Sequence, residues 1–217
     1  MNRSMHNKRL LVEGKAETRL IPYLIESNGI KWGDNKAEAI VRIDEFGGVE
    51  ELLKPGVIEV VLKSSGLTHL GILVDADEVF ANRWDSIRTR CKQAFPNLPE
   101  LFPDTGLICV NDSGLRLGVW IMPDNKTAGM LETFLGFLVP DIQDQLFQAA
   151  QGAVRNAKTL GAPYIDAHLS KANIYTWLAW QNPPGRQLHQ AVNENILSPQ
   201  SSRAQPFVSW FRDLYQL

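Results

Sequence analysis

An unbroken run of apolar residues, Leu70 to Val74, ends at a carboxylate, Asp75. A strand with no polar residue on either side is typical of the centre of a parallel sheet, where both faces are buried. A second short apolar run, Leu10 to Val12, ends in the same way at Glu13. Segments with helical spacing separate the strands of the first half. This alternation predicts an α/β fold with a mostly parallel sheet flanked by helices.

The order of the remaining elements follows from apolar periodicity and from glycine and proline breaks. We predict strands at residues 9–12, 39–43, 70–74, 106–110 and 115–122, the last two forming a hairpin. Helices are predicted at residues 16–29, 49–53, 57–63, 79–94, 127–138, 141–157, 168–180, 186–194 and 206–216. We therefore expect one compact unit, in which an α/β core (residues 1–125) carries a helical C-terminal extension (residues 126–217).

Composition and charge exclude several classes of protein. Hydrophobic residues make up 44% of the chain and charged residues 21%, values of a globular protein rather than a disordered or fibrous one. The net charge of −2 excludes bulk polycation binding of the histone kind. A local basic groove for nucleic acid is compatible with this balance.

Targeting and redox signals are weak throughout the chain. The apolar run Leu10 to Val12 is too short for a signal peptide. The longest apolar stretch, Met130 to Val139, is about half a membrane span. Cys91 and Cys109 lack the CxxC spacing of a zinc or redox site. We expect a cytoplasmic protein with reduced cysteines and no membrane partner; its oligomeric state stays open.

Acidic residues follow the two apolar runs described first. Glu13 comes after the first strand, Asp75 and Asp77 come after the strand at 70–74, and Glu17 lies four residues beyond Glu13. Ligands of open α/β sheets bind at the carboxyl ends of the strands. Clustered carboxylates repel one another, and Mg²⁺ or Mn²⁺, which prefer oxygen ligands, would relieve that repulsion. We predict a metal site here; the alternative is that each acid is a solvated residue at a helix N-terminus.

These acids lie in segments that resemble a known family. Residues 10–15 with Glu17, followed by residues 71–77, resemble the motifs of the Toprim domain, a Glu after the first strand and an Asp-x-Asp after a later one. The resemblance covers residues 8–125. It implies a Toprim-like sheet in which Glu13, Asp75 and Asp77 hold Mg²⁺ or Mn²⁺ and act on nucleic acid, either DNA or RNA.

Within that family the chain resembles the OLD-type nucleases most. They have a second acid four residues after the Glu, further acids downstream and a late Lys, which here correspond to Glu17, then Asp124 or Glu132, then Lys171. The resemblance implies that Glu17, Asp124 and Glu132 bind a second metal ion. Lys171 would stabilise charge in the transition state or help to deprotonate the attacking water. It also implies that a separate polypeptide supplies the ATPase half of OLD proteins.

Other interpretations of the same residues stay open. Taken alone, Asp124 suits a turn, Glu132 a solvent-facing helix surface and Lys171 a solvated helix position. Glu78 follows Asp77 where many Toprim proteins have glycine and basic residues, so the type of substrate does not carry over. We predict a metal-dependent phosphodiester hydrolase, a nuclease of the kind found in mobile-element or phage-defence systems. The alternative is a non-catalytic scaffold that binds a partner protein or nucleic acid.

Overall fold

The computed structural model describes residues 7–217; residues 1–6 of the predicted core lie outside the described residues. The strands are β1 Lys8–Val12, β2 Arg42–Glu45, β3 His69–Asp75, β4 Leu107–Val110 and β5 Arg116–Met122. The helices are α1 Lys15–Glu26, α2 Val49–Leu52, α3 Val57–Leu62, α4 Phe80–Cys91, α5 Leu131–Gly136, α6 Asp144–Thr159, α7 Leu169–Ala179, α8 Leu188–Asn193 and α9 Gln205–Tyr215. Each predicted strand and helix has a counterpart among them.

The strands form one five-stranded sheet in the order β2-β1-β3-β5-β4. All neighbouring strands are parallel except β4 and β5, which are antiparallel as the predicted hairpin requires. The apolar run at residues 70–74 forms the central strand, β3, and its side chains are buried on both faces. Its prediction as a central parallel strand is confirmed.

Each face of the sheet is covered by its own set of helices. Residues such as Leu11 and Ile72 face α2, α3 and α4 in one hydrophobic cluster. Their neighbours Leu10 and Leu73 face the opposite side, in a cluster with α1 and the helices of the second half of the chain. The alternation follows from the two-residue period of a strand. The predicted α/β class, a mostly parallel sheet flanked by helices, is confirmed.

Helix α9 packs directly on the centre of the sheet, where two glycines leave room for it. Gly71 of β3 and Gly118 of β5 are paired in register. A Cβ added to Gly118 would lie 2.5 Å from Leu214 Cδ2, and one added to Gly71 would meet the Tyr215 hydroxyl. That hydroxyl donates a hydrogen bond to the Arg9 carbonyl over 2.7 Å. Residues from both sides of the predicted domain boundary at 125/126 share this core; the boundary itself stays a prediction.

The second strand lies farther along the chain than predicted. The predicted bounds of 39–43 were wrong, although the strand exists: Val41 precedes it and is buried in the core, and β2 begins at Arg42. β2 is a polar edge strand held by ion pairs of Asp44 with Arg9 and with Arg42, both 2.7 Å. The apolar pattern at residues 39–43 indicated burial in the core rather than pairing with a neighbouring strand.

Helix α5 begins four residues later than the predicted start at 127. Gly129 and Asp77 pair instead as an isolated bridge, in which the Asp77 N–H donates to the Gly129 carbonyl (3.0 Å) and the Gly129 N–H donates to the Asp77 carbonyl (2.9 Å). Gly129 has a φ of 142°, which favours glycine. The bridge brings the start of α5 beside the end of β3.

Cys91 in α4 and Cys109 in β4 are free thiols, in agreement with the predicted helix and strand positions. Over residues 7–217, no helix combines the length and apolar character that crossing a membrane requires.

Because α9 packs so closely on the sheet, we expect a side chain added at Gly118 to destabilise the protein. Gly118→Ala should lower the free energy of unfolding by about 1–3 kcal/mol, because the added methyl overlaps Leu214 in a packed core. Gly152→Ala is the matched control, since Gly152 lies inside α6 with open space around it and alanine is the better helix former. Urea denaturation of both variants measures the difference. Equal stability of the two variants would contradict the packing described here.

Candidate functional site

The strands β1 and β3 end side by side at one edge of the sheet. They are parallel, and Val12 pairs with Leu73, so Glu13 and Asp75 emerge next to each other. The backbone N–H of Asp75 donates a hydrogen bond to Glu13 Oε1 over 2.7 Å. Parallel pairing therefore brings together two acids that are 62 residues apart in the sequence.

Asp75 also contacts the start of α5. The backbone N–H of Leu131 donates a hydrogen bond to Asp75 Oδ1 over 2.9 Å. Burial, and then repulsion from Glu13, Glu17 and Glu132, raises the pKa of Asp75 well above its usual range. Asp75 is thus joined to Glu13 through its backbone N–H and to the start of α5 through its carboxylate, while the charged form of that carboxylate is disfavoured.

Two further acids approach from the first turns of α1 and α5. Glu17 and Glu132 are only 8% and 5% exposed. Glu17 Oε2 is buried and has no hydrogen-bond partner. Because Glu132 is buried, its interpretation as a solvent-facing acid is wrong. We refer to Glu13, Glu17, Asp75 and Glu132 as the acidic cluster.

Burial dominates the electrostatics of the acidic cluster. It raises the pKa of Glu13 to about 7, although the hydrogen bond from the Asp75 N–H and the Arg83 charge act in the opposite direction. It also raises the pKa of Glu17, and the Glu132 carboxylate adds to that increase by repulsion. A bound proton or cation would stabilise these side chains, since isolated buried carboxylates are costly.

Lys171 lies at the rim of the acidic cluster. Its Nζ is 3.5 Å from Glu132 Oε1, and its side chain is about half exposed. Helix α7, which carries Lys171, is held against α5 by a hydrogen bond from the Thr133 hydroxyl to the Ser170 hydroxyl oxygen (2.8 Å). The structure thus brings Lys171 to the acids, 158 positions beyond Glu13 in the sequence.

Asp77 lies at the exposed side of the site, and its charge adds to the burial that raises the pKa of Glu13. Asp77 has a left-handed φ of 54° and forms an ion pair with Arg83. The Arg83 Nε donates a hydrogen bond to the Asp75 carbonyl over 2.8 Å, and the Arg83 charge lowers the pKa of Glu13. Sequence reasoning missed Arg83. Its position in the first turn of the helix after Asp-x-Asp was the available signal.

Among residues 7–217, no recorded hydrogen bond or ion pair joins Asp124 to the acidic cluster. Asp124 Oδ1 accepts hydrogen bonds from the Lys126 N–H (3.1 Å), the Thr127 N–H (2.8 Å) and the Thr127 hydroxyl (2.9 Å). These contacts close the turn after β5, which is the alternative role that the sequence suggested for this residue.

The acidic cluster does not have the arrangement of a complete metal coordination shell. In the range 7–217, no group of three or more His, Cys, Asp or Glu side chains is arranged to hold a metal ion. The cluster nonetheless combines hard oxygen donors, an orphan carboxylate oxygen on Glu17 and mutual repulsion.

Known structures show distant similarity to the whole chain. The C-terminal region of the OLD protein of Xanthomonas campestris pv. campestris is 16% identical, covering 98% of this chain and 97% of that one, with a TM-score of 0.47. A platinum-phased structure of the same region is 19% identical over 97% and 94% of the two chains, with a TM-score of 0.48. The C-terminal region of the Burkholderia pseudomallei OLD protein is 15% identical over 97% and 99%, with a TM-score of 0.44.

No curated protein matches the sequence. One family model, described as "Protein of unknown function (DUF3226)", matches residues 7–216. That match spans nearly the entire chain, and the protein therefore belongs to the DUF3226 family.

Proposed function

We propose that this protein is a Mg²⁺- or Mn²⁺-dependent phosphodiester hydrolase, a nuclease that acts at the acidic cluster. The observation that carries the proposal is the convergence of Glu13, Glu17, Asp75 and Glu132 at the carboxyl edge of the sheet. A purely structural site has no use for a group of buried acids in which burial, and then mutual repulsion, raises the pKa values of Glu13, Glu17 and Asp75. The resemblance of residues 10–17 and 71–77 to the Toprim motifs supports the same chemistry.

The donor set fits a hard divalent cation. Glu13 and Asp75 would hold it, and Glu17 and Glu132, whose charges act on Asp75, would complete its shell or share a second ion. Asp77 would join through its Oδ1, because its Oδ2 is paired with Arg83. A bound ion would polarise a phosphoryl oxygen and lower the pKa of a water molecule.

The chain's own groups would provide the remaining catalytic contributions. Lys171 has an exposed ammonium whose one recorded ion pair in the described chain is the 3.5 Å contact with Glu132, so it can approach a phosphate. There it would stabilise negative charge that develops during cleavage. Arg83 would position Asp77 and the end of β3 through its two contacts. These roles extend the predicted catalytic set of Glu13, Asp75, Asp77 and Lys171 by one positioning residue.

The partners of this enzyme would be DNA or RNA and, as the resemblance to OLD proteins suggests, a separate ATPase. We propose a cytoplasmic site of action, because nucleic acid and ATP are both available there. A pull-down of the tagged protein from a strain that carries the neighbouring genes would identify such an ATPase.

Metal binding tests the proposal directly. Isothermal titration with Mn²⁺ should detect binding to the wild-type protein, and Asp75→Asn should weaken it at least about tenfold. Asp124→Asn is the matched control, because that side chain lies outside the acidic cluster and should leave the affinity unchanged. If Mn²⁺ fails to bind, or binds Asp75→Asn equally well, the non-catalytic scaffold becomes the better description.

A further inference from the structure

A groove of about 1310 Å³ lies beside the edge strand β2. Its walls come from α1, from residues 32–41, from β2 and from the turn at residues 64–67. Two acidic residues, Asp44 and Glu45, line it. The basic residues of the lining outnumber them and are Arg9, Lys15, Arg19, Lys36 and Arg42.

Most of this positive charge is uncompensated. Asp44 is already shared by two arginines of the lining, as described for β2. Lys15, Arg19 and Lys36 are exposed, and none of them forms an ion pair with an acid in the part of the chain that the structure describes. Although the chain has a net charge of −2, unpaired basic side chains are thus concentrated on one concave surface.

The groove leads to the acidic cluster through helix α1. Lys15 and Arg19 lie one turn apart on the exposed side of this helix, while Glu17, between them in sequence, is buried in the cluster. Glu45 at the end of β2 pairs with Val12, the residue before Glu13. The groove and the acidic cluster therefore meet at the same edge of the sheet.

The basic groove beside the acidic cluster would offset the repulsion between the buried acids and a phosphodiester substrate. Buried acids repel the phosphates that they must act on, so a polyanionic substrate needs positive charge nearby. Trp32, the one aromatic residue of the lining within residues 7–217, is only 8% exposed and offers no surface for base stacking. Charge without stacking favours contact with phosphates rather than with bases.

We propose that this groove binds the phosphate backbone of a nucleic acid and guides it to the acidic cluster, with Lys15, Arg19 and Lys36 as the principal contacts. The inference rests on the nuclease function proposed above and adds the path of the substrate. Binding should be independent of sequence and strongly dependent on salt, because it comes from counterion release.

The experiment compares two sets of three substitutions in the cleavage-impaired Asp75→Asn background. The test variant is Lys15→Gln/Arg19→Gln/Lys36→Gln. The control variant, Lys92→Gln/Arg155→Gln/Arg212→Gln, removes the same charge from exposed positions outside the groove. Fluorescence anisotropy measures binding of labelled single-stranded DNA, duplex DNA and RNA in EDTA over a range of NaCl concentrations.

The test variant should bind about 10- to 100-fold more weakly at 0.1 M salt, and the slope of log K against log[salt] should fall by about 2 to 3. The control variant should retain the affinity and slope of the Asp75→Asn protein. A charge-preserving variant, Lys15→Arg/Arg19→Lys/Lys36→Arg, should also retain them. Equal losses in the test and control variants, or no binding of any of the three nucleic acids, would overturn the inference.

The outcome is separable from the nuclease proposal, because binding is measured without cleavage. If the groove binds nucleic acid but the wild-type protein with Mn²⁺ cleaves none of the three, the nuclease function fails and the groove stands. If the wild-type protein cleaves while the test variant binds normally, the groove assignment fails and the active site stands.

Discussion

Glu13→Gln and Asp75→Asn are each expected to reduce Mn²⁺-dependent cleavage of nucleic acid by about 1,000-fold or more, since loss of a metal ligand removes several kcal/mol of transition-state stabilisation. The same substitutions should raise the melting temperature of the metal-free protein. This opposite effect on activity and stability is the signature of a site built to hold a cation.

We expect higher stability because each amide keeps a hydrogen bond of the carboxylate and removes its negative charge. Gln at residue 13 can still accept the hydrogen bond from the Asp75 N–H, and Asn at residue 75 can still accept the one from the Leu131 N–H. Each amide removes one negative charge from a cluster where burial and repulsion disfavour it. Packing is preserved while an unfavourable interaction is relieved, so stability increases.

Cleavage of plasmid DNA, single-stranded DNA and RNA, together with thermal unfolding in EDTA, measures both effects. Asp124→Asn serves as the control, because its turn lies outside the acidic cluster; it should leave activity within about threefold of wild type. Unchanged cleavage in both cluster variants would refute a catalytic role. Lost cleavage with a lower melting temperature would indicate that the acids are structural.

The acids that sequence could identify are those whose positions follow from local rules. Glu13 and Asp75 each follow a short apolar strand, and parallel neighbours end at the same edge of a sheet. Glu17 was accessible through its helical spacing from Glu13. Lys171 could be selected only through the resemblance to OLD-type nucleases, because its approach to Glu132 depends on how α7 packs against α5.

The remaining details depend on tertiary contacts that no local pattern encodes. The bridge between Asp77 and Gly129 and the ion pair with Arg83 hold the second acid of Asp-x-Asp in an exposed position. The packing of α9 on Gly71 and Gly118 could not be predicted, because nothing in the local sequence indicates that the C-terminal helix returns to the centre of the sheet. The basic groove likewise combines four separate segments. Its positive charge could not be predicted, because the basic residues that form it are scattered along the sequence.

The stability of the metal-free protein should fall as the pH rises from about 4.5 to about 7. The folded protein raises the pKa of Glu13 from 4.5 to about 7, so over this interval the folded state holds a proton that the unfolded chain releases. The stabilising contribution is complete below the unfolded pKa and is lost as the pH passes the folded one. A shift of this size corresponds to a loss on the order of 3 kcal/mol.

A divalent cation should reverse this trend, because it takes the place of the proton. Above pH 7 the Glu13 carboxyl is charged, and Mn²⁺ should raise the melting temperature most there; at pH 5 protons compete with the ion and the increase should be small. Thermal unfolding at several pH values, with EDTA and with Mn²⁺, gives both curves. A difference in melting temperature in EDTA between wild type and Glu13→Gln that stays constant from pH 5 to pH 8 would contradict the assignment.

Comparison with Glu13→Gln separates the cluster from other titrating groups. Burial lowers the pKa of His69, which makes the folded protein less stable at acidic pH and so acts in the opposite sense. His69 is unchanged in the variant, and its contribution cancels in the difference between the two proteins. In EDTA that difference should favour Glu13→Gln increasingly from pH 5 to pH 8, and added Mn²⁺ should remove or invert it. Only a cation held by the Glu13 carboxylate produces both results, because a proton explains the first and leaves the second unaccounted for.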